Sequence, residues 1–171
     1  MHDLLDKKYV HADIAADPYA FSKTVLSPIG GVYAEIDLIR DGRALTISKI
    51  IDSVSWTTEK RLRADSKWGE WHDSCLELHC VQDADRLDAI GAFGIMRCAA
   101  FSSVMNRPLF VPPEDESDRE AESAIAHFHD KLLQIKDRLK TEAGKRMGEE
   151  RHDFMLDFLN AVDKEYYAPV T

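Results

Sequence analysis

The sequence predicts an all-α protein, a helical bundle arranged around a long central helix. Apolar residues recur at intervals of three and four along most of the chain, whereas the alternation typical of strands is nearly absent. One segment, residues 75–104, carries apolar residues on every face of a helix, which indicates a helix surrounded by others. The chain has 171 residues, 44% of them hydrophobic, which is enough for one domain, 1–171, with its own core.

The remaining helices are predicted in chain order from caps and apolar spacing. A short helix follows the cap residue Asp17, with Pro18 in its first turn, and ends at SPIGG. A second helix runs through residues 41–56, and its inward side chains are Leu45, Ile47, Ile50, Ile51 and Val54. The central helix then spans about Cys75 to Val104.

The last third of the chain begins with a loop. Residues 107–122 contain three prolines and an acidic cluster, which predict an exposed loop. Two helices then close the chain. The inward residues of the first are Ile125, Phe128, Leu132, Ile135 and Leu139, and those of the second are Met147, Phe154, Phe158 and Val162.

Composition and charge limit the partners of the protein. Asp and Glu number 31 against 22 Lys and Arg, a net charge of -9, which opposes long-range attraction to nucleic acid or to an anionic membrane. The first residues are charged where a secretory signal would be apolar, and no run is long enough to cross a bilayer. The three cysteines lack the spacing of a metal site and are predicted to be core residues. We therefore expect a cytoplasmic protein with neither nucleic acid nor membrane as a partner.

The segment VQDADRLDAIGAFGI, residues 81–95, places three aspartates beside an apolar stretch. One interpretation is structural: Asp83, Asp85 and Asp88 lie near a helix start, where the dipole favours acids, and Arg86 or Arg97 pairs with them. The other is a metal or catalytic site, which the concentration of charge beside a buried helix favours.

Basic residues are concentrated in two places. His127 and Lys131 lie one helical turn apart. They either face a bound phosphate or lie on a solvent-exposed helix face. Residues 60–71, KRLRADSKWGEW, combine four cations with two tryptophans. They either form a cationic lip, a positively charged rim of a binding site, or a solvated loop whose long side chains cover apolar surface. Four His-Asp dipeptides also occur, and the dipeptide alone is a weak signal.

Five blocks together resemble the HD-domain metal-dependent phosphohydrolases, in particular stand-alone HD proteins related to bacterial nucleoside triphosphate pyrophosphohydrolases. The blocks follow the family's order over nearly the whole chain, and they are HDLLDKKYV, IIDSVSW, VQDADRLDAIGAFGI, HFHDKLLQIKDRLKTEAGK and EERHDFMLDFL. The resemblance implies that His2 and Asp3 are the metal-binding doublet and that Asp85 is the metal ligand of the central helix. The family's first histidine lies in a helix upstream of the doublet, so the chain is expected to be N-terminally short relative to the family. Such a chain exposes apolar surface, which would favour a homodimer or reduce stability.

The resemblance implies hydrolysis of a nucleotide, most directly of a nucleoside triphosphate to the monophosphate and pyrophosphate. Asp6 would be the catalytic residue that orients water, while Lys8, Lys131 and His127 would bind substrate phosphates. Manganese is the expected metal, with Co, Fe or Mg also compatible with the ligand types. Two alternatives stay open: a degenerate or truncated HD protein that binds a nucleotide or a partner without turnover, and a hydrolase of guanosine polyphosphates or cyclic nucleotides.

Overall fold

The structure, a computed structural model, describes residues 17–32, 37–112 and 123–169. Within these ranges it contains helices and no strand, which confirms the all-α prediction. The helices are α1 Pro18–Val32, α2 Arg43–Ser53, α3 Trp56–Ala64, α4 Glu70–Ser74, α5 Leu76–Asp88, α6 Gly91–Val104, α7 Ala124–Asp130 and α8 Glu142–Tyr166. Two short 3-10 helices, Leu132–Gln134 and Lys136–Arg138, connect α7 to α8.

The chain divides into two compact units, Met1–Leu78 and His79–Thr171. The core of the first consists of Ile50, Val54, Cys75 and Leu78. The core of the second consists of Leu87, Ile90, Phe128, Leu132, Ile135, Leu139, Met155 and Leu159. The expectation of one domain over 1–171 stays a prediction.

The first described helices begin as their sequences predict. Asp17 caps α1, since its Oδ1 accepts a hydrogen bond from Ala20 N at 2.9 Å, and the helix continues through SPIGG to Val32. In α2 the buried residues include Ala44 and Ser48, whereas Leu45 is exposed, so the predicted inward position of Leu45 is wrong. The short side chains of Ala44 and Ser48 permit close packing on the buried face of α2. Because serine is polar, hydrophobicity alone does not identify this face.

Residues 60–71 lie in α3, α4 and the turn between them. Trp68 and Trp71 pack against the core of the first unit. Arg63 lies over the Trp68 ring, 4.5 Å from its centroid, and pairs with the buried Glu59. Lys49 lies over the Trp71 ring at 3.7 Å. These cation–π contacts favour the structural interpretation of the segment.

The predicted central helix is broken, which corrects the prediction of one helix from Cys75 to Val104. The axes of α5 and α6 meet at 61°. Gly91 stands at the break with φ +78°, a left-handed conformation that residues with a Cβ rarely adopt. Nor is the segment buried all round, because Phe93, Met96 and Val104 are among the exposed apolar side chains of α6.

The segment 124–139 buries the side chains that spacing predicts but is not one helix. Phe128, Leu132, Ile135 and Leu139 are all buried, and Ile125 packs against them. The α-helix nevertheless ends at Asp130, and the 3-10 turns carry the chain onward. Before this segment, residues 107–112 have no regular secondary structure, and the rest of the predicted loop lies outside the described residues.

The last helix, α8, faces the core with a different stripe from the predicted one. Gly144, Gly148, Met155 and Leu159 are buried, whereas Met147 and Phe154 are exposed. A Cβ at Gly148 would collide with Leu139 Cδ1, so the glycine permits the close approach of the preceding segment. Phe158 does pack against the core, as predicted.

Among the described helices, none by itself is long and apolar enough to cross a bilayer. Only α5 and α6 taken together, with the bend between them, reach the length and composition of a span.

Candidate functional site

The three aspartates of α5 lie in the C-terminal half of the helix, because α5 begins at Leu76. The expectation that they lie near a helix start is therefore wrong. Carboxylates near a helix C-terminus are disfavoured by the dipole, so each must be compensated by its surroundings. The three side chains have three different environments.

Asp83 is buried and holds the start of α8. Its carboxylate accepts hydrogen bonds from Lys140 N at 2.9 Å, Thr141 N at 2.8 Å and Thr141 Oγ1 at 2.7 Å. The Thr141 hydroxyl in turn accepts from Gly144 N at 2.9 Å and so caps α8. A Cβ at Gly144 would collide with Asp83 Oδ2. Asp83 is thus a structural residue that joins α5 to α8, as the structural interpretation of the segment expects.

Asp88 is exposed and forms an ion pair with Arg97 of α6. Arg97 Nη1 donates to Asp88 Oδ2 and, at 3.3 Å, to the Asp88 carbonyl. The prediction that Arg97 pairs with one of these aspartates is therefore confirmed. Since the pair bridges the break between α5 and α6, it fixes the direction of the Arg97 side chain.

Asp85, the predicted metal ligand, lies on the inner face of α5. Helical spacing aligns it with Leu78 and Gln82, which are both fully buried. Asp85 itself is half-buried. Of the three aspartates it is the one that combines partial burial with access to solvent, as a metal ligand requires.

A cavity of about 400 Å³ is lined in part by Ala89, which lies in the turn after α5, four residues after Asp85, and we call it the basic pocket. It is lined by Ala89, Gly94, Arg97, Cys98, Ala100, Phe101, His127, Lys131 and Leu132. The lining joins His127 and Lys131, the two residues predicted from their spacing, and it contains no acidic residue from the described part of the chain. Arg97 is a third basic member that sequence reasoning missed as a binding residue, because it was considered only as a partner for an aspartate.

The Lys131 ammonium group influences the Cys98 thiol, another residue that lines the basic pocket. Burial raises the pKa of the Cys98 thiol, while a hydrogen bond with Ser102 and the positive charge of Lys131 oppose that rise. The ammonium charge of Lys131 therefore acts on the pKa of Cys98, which lines the same pocket. The prediction of three core cysteines holds for Cys75, which is buried, but is wrong for Cys80, which is exposed.

The remaining predicted site residues, His2, Asp3, Asp6 and Lys8, lie outside the described residues, as does the start of the chain. Within residues 17–32, 37–112 and 123–169, no group of three or more His, Cys, Asp or Glu side chains is placed to hold a metal ion. The described part of the chain therefore supplies a single predicted ligand, the Asp85 carboxylate, whose hard oxygen donor suits Mn or Mg.

Comparison with known proteins gives one related sequence and several related structures. No family profile matches the sequence. The chain is 33% identical over 167 residues to the uncharacterised protein YpgQ of Bacillus subtilis, and the alignment covers 96% of this chain and 68% of YpgQ. The crystal structure of YpgQ in complex with ADP is 29% identical and has a TM-score of 0.62, covering 98% of this chain and 73% of that one. A selenomethionine form of YpgQ has a TM-score of 0.57 at 34% identity, and the chain spans 57% of its length in that superposition.

A second similar structure is an HD-superfamily hydrolase from Bacillus thuringiensis. It is 27% identical, with a TM-score of 0.63, and the superposition covers 98% of this chain and 70% of that one. The helical arrangement of the chain is therefore HD-like, in agreement with the resemblance found in its sequence.

Proposed function

Since the chain belongs to the same family as Bacillus subtilis YpgQ, we propose that it is a metal-dependent phosphohydrolase acting on nucleotides. One observation carries the proposal: the half-buried Asp85 carboxylate belongs to the helix that leads, four residues later at Ala89, into a pocket whose charged lining residues are all basic. A metal ligand beside a pocket for anions is the arrangement that phosphoryl-group hydrolysis needs. The ADP bound to YpgQ and the hydrolase name of the Bacillus thuringiensis protein support a nucleotide as the substrate.

The proposed metal ligands are Asp85 together with His2 and Asp3. A divalent ion, with Mn preferred, lowers the pKa of water and polarises a phosphoryl oxygen when it is bound. The contribution of Asp85 is an anionic oxygen held on a helix whose end is fixed, since Arg151 Nη1 donates to the carbonyl of Leu87. This anchoring limits the movement of the ligand, and a rigid ligand is a condition for precise positioning.

The basic residues would bind and orient the phosphates. Lys131 would supply a point charge, and His127 would supply a ring nitrogen as a hydrogen-bond donor. Both side chains line the basic pocket. Lys8 is proposed to add a further cation, and Asp6 to orient the attacking water and accept its proton. The proposed reaction cleaves a nucleoside triphosphate to the monophosphate and pyrophosphate.

The decisive experiment measures pyrophosphate and phosphate release from each nucleoside triphosphate with Mn, for the wild-type chain, Asp85→Asn and Asp157→Asn. Asp157 is an exposed acid of α8 outside the basic pocket, so its variant controls for the loss of one charge. We expect pyrophosphate as the product. Asp85→Asn should lower turnover by at least about a hundredfold, because the variant loses a metal ligand. Asp157→Asn should leave turnover unchanged. Nucleotide binding without turnover in the wild-type chain would instead support the alternative of a non-catalytic HD protein.

A further inference from the structure

We propose that Arg97 binds the polyphosphate group of the ligand in the basic pocket, and that Asp88 is the positioning residue that orients its guanidinium group. The proposal deepens the proposed function, on which the identity of the ligand as a nucleoside di- or triphosphate depends. The anion chemistry of the pocket does not depend on turnover.

Arg97 lies among other basic residues, and this position is the first argument. Arg97 lies on α6, His127 on α7 and Lys131 immediately after α7, and all three line one cavity of about 400 Å³. Asp88 offsets part of the Arg97 charge, so a bound anion would compensate the positive charge that remains in the cavity. The chain as a whole carries a net charge of -9, so three basic residues in one cavity are a local exception to its charge. A cavity of this size falls within the range of small-molecule sites, about 300–1,000 Å³.

The geometry of the Asp88 pair is the second argument. Both hydrogen bonds between the two residues use one nitrogen of Arg97, Nη1. A guanidinium group has five N–H donors, and those on Nη2 and Nε are not engaged by either contact. Arg97 is thus tethered on one side while retaining two nitrogens for a planar, two-point contact with phosphate oxygens.

The exposure of this pair decides between a structural and an orienting role. The side chains of Arg97 and Asp88 are 63% and 67% exposed. An ion pair at such a site contributes little to stability because water screens it. Its effect is to restrict the rotamers of a long side chain beside the pocket, and so to reduce the entropy lost when a ligand binds.

The test is calorimetric titration of the full chain with tripolyphosphate, ADP and adenosine, in buffer with EDTA so that no divalent metal takes part. The variants are Arg97→Gln, Arg97→Lys, Asp88→Asn and the control Arg146→Gln. Arg146 is an exposed cation of α8 outside the pocket, so its variant changes the net charge equally. Comparison of tripolyphosphate with adenosine separates recognition of phosphate from recognition of the nucleoside.

We expect tripolyphosphate and ADP to bind and adenosine not to bind. Arg97→Gln should weaken binding of both anions at least tenfold, the usual effect of losing charge-assisted hydrogen bonds. Arg97→Lys should recover part of the affinity, and Asp88→Asn should weaken binding about threefold without changing the melting temperature. Arg146→Gln should bind like the wild type.

The inference would be overturned by an anion affinity in Arg97→Gln equal to that of Arg146→Gln, or by adenosine binding as tightly as ADP. Asp88→Asn binding as tightly as the wild type would reject the positioning role of Asp88. Turnover measured in the wild-type chain and in Arg97→Gln separates this proposal from the proposed function. If the wild-type chain binds tripolyphosphate through Arg97 but shows no turnover, the proposed function fails and the inference stands. If turnover occurs but its KM is unchanged in Arg97→Gln, the inference fails and the function stands.

Discussion

Replacing Asp83 with alanine should destabilise the protein strongly, because Asp83 is 3% exposed and serves three donors at the start of α8. Two of these donors are backbone N–H groups, of Lys140 and Thr141, which would be left without an acceptor in the interior. Each orphaned buried donor costs about 1–3 kcal/mol. The Thr141 hydroxyl would also lose the acceptor that orients it as the cap of α8. We therefore expect the free energy of unfolding to fall by about 3–5 kcal/mol, a large part of the stability of a typical domain.

Urea unfolding followed by far-ultraviolet circular dichroism measures this loss. Asp83→Asn retains one acceptor oxygen, so its expected loss is smaller, about 1–3 kcal/mol. Asp88→Ala is the matched control, since it removes an exposed aspartate from the same helix and should cost less than about 1 kcal/mol. A loss below about 1 kcal/mol in Asp83→Ala would refute the assignment of Asp83 as the residue that joins α5 to α8.

Two further predictions concern the helix break and the basic pocket. Gly91→Ala should cost about 1–2 kcal/mol for its left-handed backbone and more for the contact of the new Cβ, 2.9 Å from Arg151 Cγ. Gly42→Ala, where φ is +84° and no atom lies within 4 Å, is the control; equal losses in urea unfolding would contradict a role for the Arg151 contact. Because burial raises the pKa of the Cys98 thiol, less of it is thiolate at neutral pH, and iodoacetamide should modify the exposed Cys80 first. Mass spectrometry of the labelled peptides should show Cys98 reacting faster as pH rises; equal rates for both cysteines at pH 7 would contradict the burial of Cys98.

The sequence predicted helices well because their signals are local. The Asp17 cap and the apolar spacing of the segment that contains Phe128 and Leu132 depend on residues three or four positions apart, and both predictions hold. The break before α6 was missed because a glycine in an apolar run, here Gly91 or Gly94, is compatible with either a helix or a left-handed turn. The break lies against Arg151, a residue distant in the sequence, which donates a hydrogen bond to the Leu87 carbonyl near the end of α5.

The candidate site was predictable to the extent that residue type and spacing define it. His127 and Lys131 were predicted from one helical turn of spacing, and the structure places both in the basic pocket. The sequence could not predict that Asp83 is a buried structural residue while Asp85 is half-buried, because the hydrogen-bond partners of Asp83 lie 57 and 58 positions away in the chain. The contribution of Arg97 to the pocket likewise depends on the 61° bend between α5 and α6, which spacing alone does not reveal.

The two contacts between α5 and α8 also have a mechanical consequence. Asp83 holds Thr141 at the start of α8, and Arg151, further along the same helix, holds the carbonyl of Leu87. These attachment points are about 15 Å apart along α8 at the rise of an α-helix. Two fixed points on one rod prevent rotation as well as translation, so α5 and α8 should move as one rigid body. Since the basic pocket is lined mainly by α6, by α7 and by the residues that follow α7, we expect any motion that widens it to come from that side and to leave Asp85 in place.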